Sequence, residues 1–431
     1  HARHIEVQVA VGADGKALAL GIRDCSIQRR NQKVIEESPS AVVPADQVEL
    51  LCRSAERLLE AGGYRGVATV EFLFQPADGA VSFLEVNSRL QVEHTVTEMV
   101  TGCDLVQAQI DIARGLPWQQ PTEAPRGHAI EVRLNAEDPE KGFQPSPGLV
   151  RVFRAPAGPG VRVDAGVSEG MTIAGAFDSM VAKVIAWAPD RPQALARLER
   201  ALRELQVVVE DGATNQGFLL DLLRHPEVVR STADTGWLDR AMAAGELSTP
   251  RHEIEALLVA AVLDAQRRRA HEVDRFFTEV QGGVPRALPK PEGTRVELRL
   301  RNRKHALDVF AIGHDRYLAG PASSLHLVKL EAVAPHTAVL HVAGRRHAVL
   351  FAEGSAGITV DVDGSRHTVE RASGGAVRAP APAVVVQVHV SEGDTVAAGD
   401  LLCTLEAMKL EMPLRAVEGG VVKAVQARAN Q

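Results

Sequence analysis

Residues 67–94 read VATVEFLFQPADGAVSFLEVNSRLQVEH, and they decide the fold of the first part of the chain. Two mostly apolar runs flank the Pro-Ala-Asp-Gly sequence of residues 76–79, which is typical of a turn between strands. The pattern predicts an antiparallel β-hairpin. Glu71 and Glu85 lie symmetrically about the turn, so a symmetric register places their side chains opposite each other on one face of the sheet.

Two glutamates that face each other across neighbouring strands repel, because both are negatively charged. A divalent cation relieves that repulsion, and Mg²⁺ or Mn²⁺ prefers carboxylate oxygens together with phosphate oxygens. Glu71 and Glu85 are therefore candidate metal ligands. The alternative, in which one glutamate is solvated and the register differs, stays open because glutamate is usually exposed.

Polar residues recur at every second position at the end of this stretch: Glu85, Asn87, Arg89, Gln91 and Glu93. If the strand stays extended, these side chains line one face, which is costly to bury for structure alone. The row predicts a wall that holds a metal, an anion and a proton acceptor, although a solvated strand face gives the same pattern. Arg133, inside another apolar strand, is either a further anion contact or a surface salt-bridge partner.

Composition excludes several classes of protein. The 431 residues are 45% apolar and 24% charged with a net charge of −7, which argues against disordered, collagen-like and nucleic-acid-binding chains. The longest apolar run, Ala256–Leu263, is too short to span a membrane. Four separated cysteines without a CxxC pair predict reduced thiols and a cytoplasmic location.

Residues 1–117 predict an α+β arrangement of antiparallel strands and helices. The strand that carries Ile5, Val7 and Val9 alternates with polar residues and is expected to be half-buried. Thr95 and Glu98 resemble a capping box at the start of one helix that would run to Arg114.

The second half of the chain predicts a long helix and two β-rich modules. The helix runs from Arg251 to about Val280, and its run of three arginines, 267–269, is expected to be a solvated face. Short alternating strands over 295–370 predict a small β-barrel or sandwich. A last β module follows, and its end at Val421–Gln426 is expected to be another strand.

Lys409 lies between two predicted strands, within the sequence Glu406-Ala407-Met408-Lys409. A lysine at an exposed hairpin tip suits covalent attachment of a swinging cofactor, although a lone surface lysine usually has no such role. The neighbouring sequence decides between the two interpretations, as follows.

Five motifs resemble the C-terminal half of a biotin carboxylase, in the family of biotin-dependent carboxylases: Arg3–Gln8, Arg23–Arg30, Gln32–Glu37, Glu85–His94 and Arg133–Pro139. The last 50 or so residues resemble a biotin carboxyl carrier domain, in which Ala407-Met408-Lys409 marks the biotin-bearing lysine. A lipoyl domain shares this fold but usually has an acidic residue before its lysine.

The resemblance implies a multidomain α+β protein with four parts. They are the rear half of an ATP-grasp domain (1–117), a biotin carboxylase C-terminal domain (118–242), a helix plus β-barrel-like linking domain (251–371) and an all-β biotinyl/lipoyl-like carrier domain (376–431). The third match rests on the order and pattern of elements, not on a motif.

The resemblance also implies the role of each candidate residue. ATP would contact His4 and Leu73, and Mg²⁺ or Mn²⁺ would be held by Glu71, Glu85 and Asn87. Bicarbonate would be bound by Arg89, Gln91 and the Val92 backbone, and would be deprotonated by Glu93. The biotin enolate would be stabilised by Arg133, and biotin would be attached to Lys409.

The expected activity is that of an ATP-dependent ligase of the acetyl- or propionyl-CoA carboxylase type. Carboxyphosphate would form from ATP and bicarbonate, and the carboxyl group would move to biotin and then to an acyl-CoA. A carboxyltransferase domain or subunit and a biotin protein ligase are the implied partners of an oligomer. The acyl acceptor cannot be read from these residues.

The chain departs from the family pattern in ways that predict a fragment. It begins at His1 in mid-strand, and the family's phosphate-covering glycine-rich loop and phosphate-binding lysines are not among its residues. The carrier's usual Ala-Pro-Met-Pro-Gly is replaced by Ala379–Ala383, and its closing strand is missing after Gln431. The chain alone is therefore expected to be inactive. A noncatalytic carrier or assembly piece, or part of a pyruvate or urea carboxylase, remains an alternative.

Overall fold

The structure, a computed structural model, describes residues 1–175, 178–247, 251–281, 293–301, 303–354, 357–371, 377, 379, 383–407, 410–416 and 419–429. Contacts divide the chain into two units, residues 1–296 with 306–369 and residues 297–305 with 370–431.

The first part of the chain contains five strands and three helices. They are β1 (Arg3–Val11), β2 (Ala17–Arg29), β3 (Gln32–Ser38), α1 (Ala45–Ala61), β4 (Gly66–Gln75), β5 (Ala80–Asn87), α2 (His94–Thr101) and α3 (Leu105–Ala113).

The next part contains eight strands and four helices. They are β6 (His128–Asn135), β7 (Glu137–Asp138), β8 (Gln144–Pro145), β9 (Gly148–Arg154), β10 (Val161–Ala165), β11 (Thr172–Ile173), β12 (Met180–Ala188), α4 (Arg191–Glu204), β13 (Gln206–Glu210), α5 (Gln216–Arg224), α6 (Pro226–Val229) and α7 (Trp237–Ala243).

One antiparallel sheet joins strands from both parts in the order β10-β12-β6-β3-β2-β1-β4-β5. Its central strand β1 is buried along its whole length, not half-buried as the alternation predicted. The face with Ile5 and Val7 packs on α1, whereas the opposite face carries Glu6 and Gln8, which are also buried. This polar face positions the candidate site.

The single helix predicted from a capping box at Thr95 is wrong in two respects. The chain breaks into α2 and α3 at Gly102, which adopts a left-handed conformation, and Asp104 caps α3 by accepting a hydrogen bond from the Gln107 backbone N–H. Thr95 lies inside α2, where its hydroxyl donates to Glu131 instead of capping the helix. The break leaves α2 as a short helix against the polar face of the sheet.

A long helix, α8 (Glu253–Gln281), confirms the predicted helical region. Its apolar residues, such as Leu257 and Leu258, are buried. Arg267 and Arg268 are about half-exposed and donate to the buried Asp264, so the expectation of a solvated arginine face is confirmed.

Eight strands follow α8 and are ordered as a closed barrel, one of the two arrangements that the sequence predicted. They are β14 (Thr294–Leu300), β15 (Arg303–Gly313), β16 (Arg316–Gly320), β17 (His326–Ala334), β18 (Thr337–Val342), β19 (Arg345–Glu353), β20 (Gly357–Val362) and β21 (Ser365–Arg371).

The last module contains five short strands: β22 (Val384–Val388), β23 (Thr395–Val396), β24 (Leu401–Ala407), β25 (Leu410–Arg415) and β26 (Gly420–Val421). They form the sheet β22-β24-β25 and the pair β23-β26. The strand predicted over Val421–Gln426 is wrong beyond Val421, because residues 422–429 have no regular structure.

The described residues also bear on two expectations from composition, those for the cysteines and for a membrane span. All four cysteines are free, as the sequence predicted. In the part of the chain that the structure describes, no helix has the length and apolar character that crossing a membrane requires.

Candidate active site

The hairpin β4-β5 places Glu71 opposite Glu85, as the symmetry of the sequence predicted. The Asn87 side-chain amide donates to both carboxylates, at 2.8 Å to Glu71 Oε1 and 3.1 Å to Glu85 Oε1. Glu71 is buried and Glu85 is exposed. The two carboxylates thus converge on one point at the open edge of the sheet, and this set of hard oxygen donors fits Mg²⁺ or Mn²⁺.

His4 and Leu73 face each other across β1 and β4, next to the carboxylate pair. The Gln28 amide donates to His4 Nδ1, so the His4 Nε2–H is the group that donates to Glu71 Oε2, at 2.6 Å. Burial opposes ionisation of Glu71, but the hydrogen bond from His4 and the nearby charge of Lys33 outweigh it and lower the pKa of Glu71 to about 2. Glu71 is therefore a fixed negative charge at neutral pH.

The predicted period-two row ends earlier than the sequence suggested. Strand β5 stops at Asn87, and the following residues form a turn that leads into α2. The turn still returns Gln91 to the site, where its amide donates to Glu71 Oε1 at 2.8 Å. The exposed Arg89 donates to the Leu90 carbonyl at 3.2 Å. The Val92 carbonyl accepts a hydrogen bond from Lys183 at 2.8 Å, which fixes the backbone at this point.

Glu93 lies between two cations at the start of α2. Its Oε1 accepts from Lys33 at 2.5 Å, and its Oε2 accepts from the Arg133 guanidinium at 2.9 Å. Burial raises the pKa of Glu93, but the charges of Arg23, Lys33 and Arg133 together lower it to about 2. A buried carboxylate held between two cations is a proton acceptor whose basicity depends on what those cations bind.

Arg133 occupies β6 and is mostly buried, so it is not a surface salt-bridge partner. Its Nε donates to Glu36 Oε1 at 2.6 Å while its Nη2 contacts Glu93. The first of the two sequence interpretations, a residue that can contact an anion in the site, agrees with this position. Several N–H groups of one guanidinium allow it to bind two carboxylates and still donate to a ligand.

Sequence reasoning missed Lys33, although it lies within a quoted motif. Lys33 Nζ contacts Glu93, Glu6 and Glu71, so it joins the Glu71–Glu85 pair to Glu93. The sequence offered one signal for such a role, a lysine near the start of the strand that also carries Ile35. Its partners lie on other strands and cannot be read from local spacing.

Arg23 is a second residue whose role sequence reasoning missed. It is fully buried on β2, and its guanidinium donates to the side chains of Glu6, Gln8, Thr69, Gln91 and Thr97. Register explains the first of these contacts, because Arg23 lies opposite Glu6, and Glu6 lies opposite Glu71 on the next strand. Arg23 thus links Gln91 and α2 to the sheet.

The predicted attachment site, Lys409, lies outside the described residues. Strands β24 and β25 on either side of it pair with Ala407 opposite Leu410. Met408 and Lys409 are the two residues between them in the sequence.

Three family models match the chain. They are described as "Carbamoyl-phosphate synthase L chain, ATP binding domain" over residues 1–120, "Biotin carboxylase C-terminal domain" over residues 131–240 and "Biotin-requiring enzyme" over residues 375–431. Together they cover the candidate site and the region around Lys409.

Two curated relatives match along almost the whole chain. The biotin-dependent acyl-coenzyme A carboxylase alpha3 subunit of Mycobacterium leprae is 35% identical over 437 residues, which are 99% of this chain and 62% of the relative. The propionyl-CoA carboxylase alpha chain of Ruegeria pomeroyi is 34% identical over 472 residues, which are 99% of this chain and 68% of the relative. The chain therefore spans less than two thirds of the first relative.

A solved structure with the same fold is the biotin carboxylase domain of 2-oxoglutarate carboxylase from Hydrogenobacter thermophilus. It is 37% identical to this chain with a TM-score of 0.54, over 57% of this chain and 55% of that one. It is described as a complex with the magnesium salt of ADP and with bicarbonate.

Proposed function

This chain belongs to the biotin-dependent carboxylases, and we propose that it serves an acyl-CoA carboxylase by carboxylating biotin with ATP and bicarbonate. It carries the ATP-binding, biotin carboxylase C-terminal and biotinyl domains of that family. The observation that supports the reaction best is Glu93, a buried carboxylate held between Lys33 and Arg133 beside the Glu71–Glu85 pair.

In this proposal the open edge of the hairpin binds the nucleotide and its metal. His4 and Leu73 contact ATP, and Glu71, Glu85 and Asn87 hold Mg²⁺ or Mn²⁺. The metal supplies charge neutralisation for the phosphate groups. The related structure is described as a complex with magnesium, ADP and bicarbonate, and it supports binding of a magnesium nucleotide and bicarbonate by this chain.

Bicarbonate binds next to this edge, at Arg89, Gln91 and the Val92 backbone. Its negative charge competes with Glu93 for the surrounding cations, and this competition raises the basicity of Glu93 from its low starting value. Glu93 then accepts the bicarbonate proton, and the freed oxygen attacks the γ-phosphorus of ATP to form carboxyphosphate and ADP. Cleavage of the C–O bond of carboxyphosphate would give CO2 and phosphate, and the phosphate would take the N–H proton that biotin loses when its nitrogen bonds to CO2.

Biotin on Lys409 supplies the nitrogen that accepts the carboxyl group and carries it away. Arg133 directs a positive charge towards the bound ureido oxygen, which stabilises negative charge that develops there. A carboxyltransferase, a biotin protein ligase and a second copy of this chain are the proposed partners, in a cytoplasmic setting consistent with free thiols.

Relatives that match over 99% of the chain support an acyl-CoA as the final acceptor. Both are carboxylase alpha subunits named for acyl-coenzyme A or propionyl-CoA, and their match includes the helix and barrel of residues 251–371. A match confined to the first 240 residues would not include this region. The longer match therefore favours an acyl-CoA acceptor over the acceptor of a pyruvate or urea carboxylase.

The proposed function is tested with the complete enzyme. Biotin ligase, ATP and biotin are added, and the protein is digested and mapped by mass spectrometry; biotin is expected on Lys409. The biotinylated enzyme should then cleave ATP only when bicarbonate is present. Biotin on another lysine with Lys409 unmodified would contradict the attachment site. Absence of bicarbonate-dependent ATP cleavage would favour a noncatalytic carrier.

Glu85→Gln should weaken the response of the enzyme to Mg²⁺. The substitution removes one negative charge from the pair that converges on Asn87, and we expect the Mg²⁺ concentration for half-maximal rate to rise about 10–100-fold. Asp78→Asn, in the turn of the same hairpin where its carboxylate accepts from the Ala80 backbone N–H, is the matched control. An unchanged Mg²⁺ dependence in Glu85→Gln would show that Glu85 is merely solvated.

A further inference from the structure

Two buried glutamates face each other behind the candidate site. Strands β3 and β6 pair with Glu36 directly opposite Glu131, and both side chains have an exposure of 0%. Opposing residues of an antiparallel pair project to the same face of the sheet. Two carboxylates are therefore close together in a region that excludes water.

Each carboxyl group has one oxygen with a partner and one without. Glu36 Oε1 accepts from Arg133 Nε at 2.6 Å, and Glu131 Oε2 accepts from the Thr95 hydroxyl. Glu36 Oε2 and Glu131 Oε1 are buried and have no hydrogen-bond partner among the described residues. Buried polar atoms of native proteins are nearly always satisfied, so this pair of oxygens needs an explanation.

The surrounding cations are already engaged by other groups. Arg133 is shared with Glu93, and Lys33 contacts Glu93 and Glu6. Lys183, which lies opposite Arg133 on β12, donates to the Val92 carbonyl and lies 3.6 Å from Asp164.

Further titratable groups around the pair come from β2, which carries the buried Cys25, and from α2 and β10. From α2 these are His94 and Glu98, and Glu98 Oε2 accepts from Arg162 on β10 at 2.7 Å. Among the described residues, none of these elements adds a cation that contacts the unpaired oxygens of Glu36 and Glu131. Full ionisation of both glutamates would therefore place two negative charges face to face, with Arg133 as the main counter-charge of Glu36 and Lys183 as that of Glu131.

A single proton solves both problems. If one carboxyl is protonated, its O–H donates to the facing carboxylate and satisfies both unpaired oxygens at once. Burial is the largest cause that raises the pKa of each group, to about 7 for Glu36 and about 8 for Glu131. The charge of Glu36 is the next cause for Glu131, whereas for Glu36 the charge of Arg133 opposes the shift and that of Glu93 adds to it. Two carboxyl groups that interact strongly titrate as a pair and not one by one.

We propose that Glu36 and Glu131 share one proton, and that this singly charged pair positions Arg133 for carboxylation of biotin. Glu36 binds the Nε of Arg133, which leaves the outer N–H groups directed at Glu93 and at the ligand. A second negative charge on the pair would draw the guanidinium away from the reacting groups. Glu36 and Glu131 are positioning residues that do not touch substrate.

The shared proton is tested directly by infrared spectroscopy, without any assay of activity. The C=O stretch of a protonated carboxyl should be present in the wild type at neutral pH and be lost as the pH rises. Asp361 is also buried, and burial raises its pKa to about 6, so the band is assigned by its loss in Glu131→Gln. Glu204→Gln, an exposed partner of Arg200 on α4, is the matched control and should retain it.

The positioning role rests on the proposed function and is tested by the pH profile of biotin carboxylation. The protonated pair is the active form, so the wild type should lose activity as the pH rises through the pKa of the pair. In Glu131→Gln the new side chain cannot ionise, and its amide can donate to Glu36, so this variant should retain activity at alkaline pH. Its alkaline limb should move upward by at least about one pH unit.

The infrared and pH-profile experiments distinguish failure of the shared-proton proposal from failure of the proposed function. A wild-type spectrum without a titrating carboxyl band, or a carboxyl spectrum that is the same in Glu131→Gln as in the wild type, would overturn the shared proton even if the enzyme is a carboxylase. A confirmed band with superimposable pH profiles for wild type and Glu131→Gln would overturn the positioning role. Bicarbonate-dependent ATP cleavage in both proteins shows that the proposed function itself holds.

Discussion

Arg23→Met is expected to lower the free energy of unfolding of the first 242 residues by about 3–5 kcal/mol, because it removes one partner of a buried ion pair. Arg23 is fully buried and opposite Glu6, whose carboxylate has an exposure of 0%. Methionine preserves much of the volume but leaves Glu6 with Lys33 as its remaining cation. Acceptors on Gln8, Thr69 and Gln91 also lose their donor.

Tryptophan fluorescence during urea unfolding measures this effect, since all three tryptophans, Trp118, Trp187 and Trp237, lie in this part of the chain. Arg200→Met is the matched control: Arg200 lies on the exposed face of α4 and pairs with Glu204, and such surface pairs contribute about 0.2–1 kcal/mol. A loss in Arg23→Met no larger than that of the control would show that the buried network does not stabilise the sheet.

The pairing of Glu71 with Glu85 could be predicted from local sequence, because the two residues are symmetric about a four-residue turn. The structure confirms the pair, but the turn alone does not set it. Next to the turn Gln75 lies opposite Ala80, and the register shifts by one residue between Phe72 and Glu71 before Glu85 is reached. A bulge of this kind depends on side-chain packing, which local spacing does not contain.

The roles of Arg23 and Lys33 could not be predicted because their partners lie on strands that are distant in sequence. Glu6 meets Arg23 across β1 and β2, where the register also shifts, and Lys33 reaches the start of α2 from β3. Which strands pair across such distances depends on how all strands of the sheet are arranged. A charged residue within an otherwise buried strand was the one signal available from sequence.

The polar row from Glu85 to Glu93 illustrates a prediction whose backbone conformation was wrong, although the structure brings Asn87, Gln91 and Glu93 to the same cluster of side chains. Period-two spacing predicted an extended strand, but the strand ends at Asn87 and a turn leads into α2. Gln91 and Glu93 still reach the site because the helix packs on the polar face of the sheet. The residue types of the row therefore indicated which side chains belong to the candidate site, whereas their spacing did not determine the local backbone structure.

Glu93→Gln is expected to reduce the rate of bicarbonate-dependent ATP cleavage about 10²–10⁴-fold, the range typical for loss of a general acid or base. Glutamine keeps the size of the side chain and can still accept from Lys33 or Arg133, but it cannot take the proton of bicarbonate. The KM for ATP should change little, because the predicted ATP contacts, His4 and Leu73, lie on other strands.

The pH dependence of the wild type separates two explanations for such a loss. Arg23, Lys33 and Arg133 outweigh burial and hold the pKa of Glu93 at about 2, so in the free enzyme Glu93 is ionised throughout a practical assay range. We therefore expect any acid limb that belongs to Glu93 to appear in kcat, where bicarbonate is bound and engages those cations, and not in kcat/KM. Because the ionised form of Glu93 is the base, activity is present above the pKa of Glu93 and is lost as the pH falls through that pKa.

Glu98→Gln is the matched control for Glu93→Gln, because Glu98 lies in α2 but its carboxylate accepts from Arg162 at 2.7 Å and from the Leu105 backbone N–H. Glutamine keeps the size of the side chain and one oxygen acceptor, so this variant should retain the wild-type rate within about threefold. If Glu93→Gln also retained a rate within about tenfold of the wild type, the proton would have another acceptor. A γ-phosphate oxygen of the bound ATP would then be the candidate base, and Glu93 would serve only to hold Lys33 and Arg133 in place.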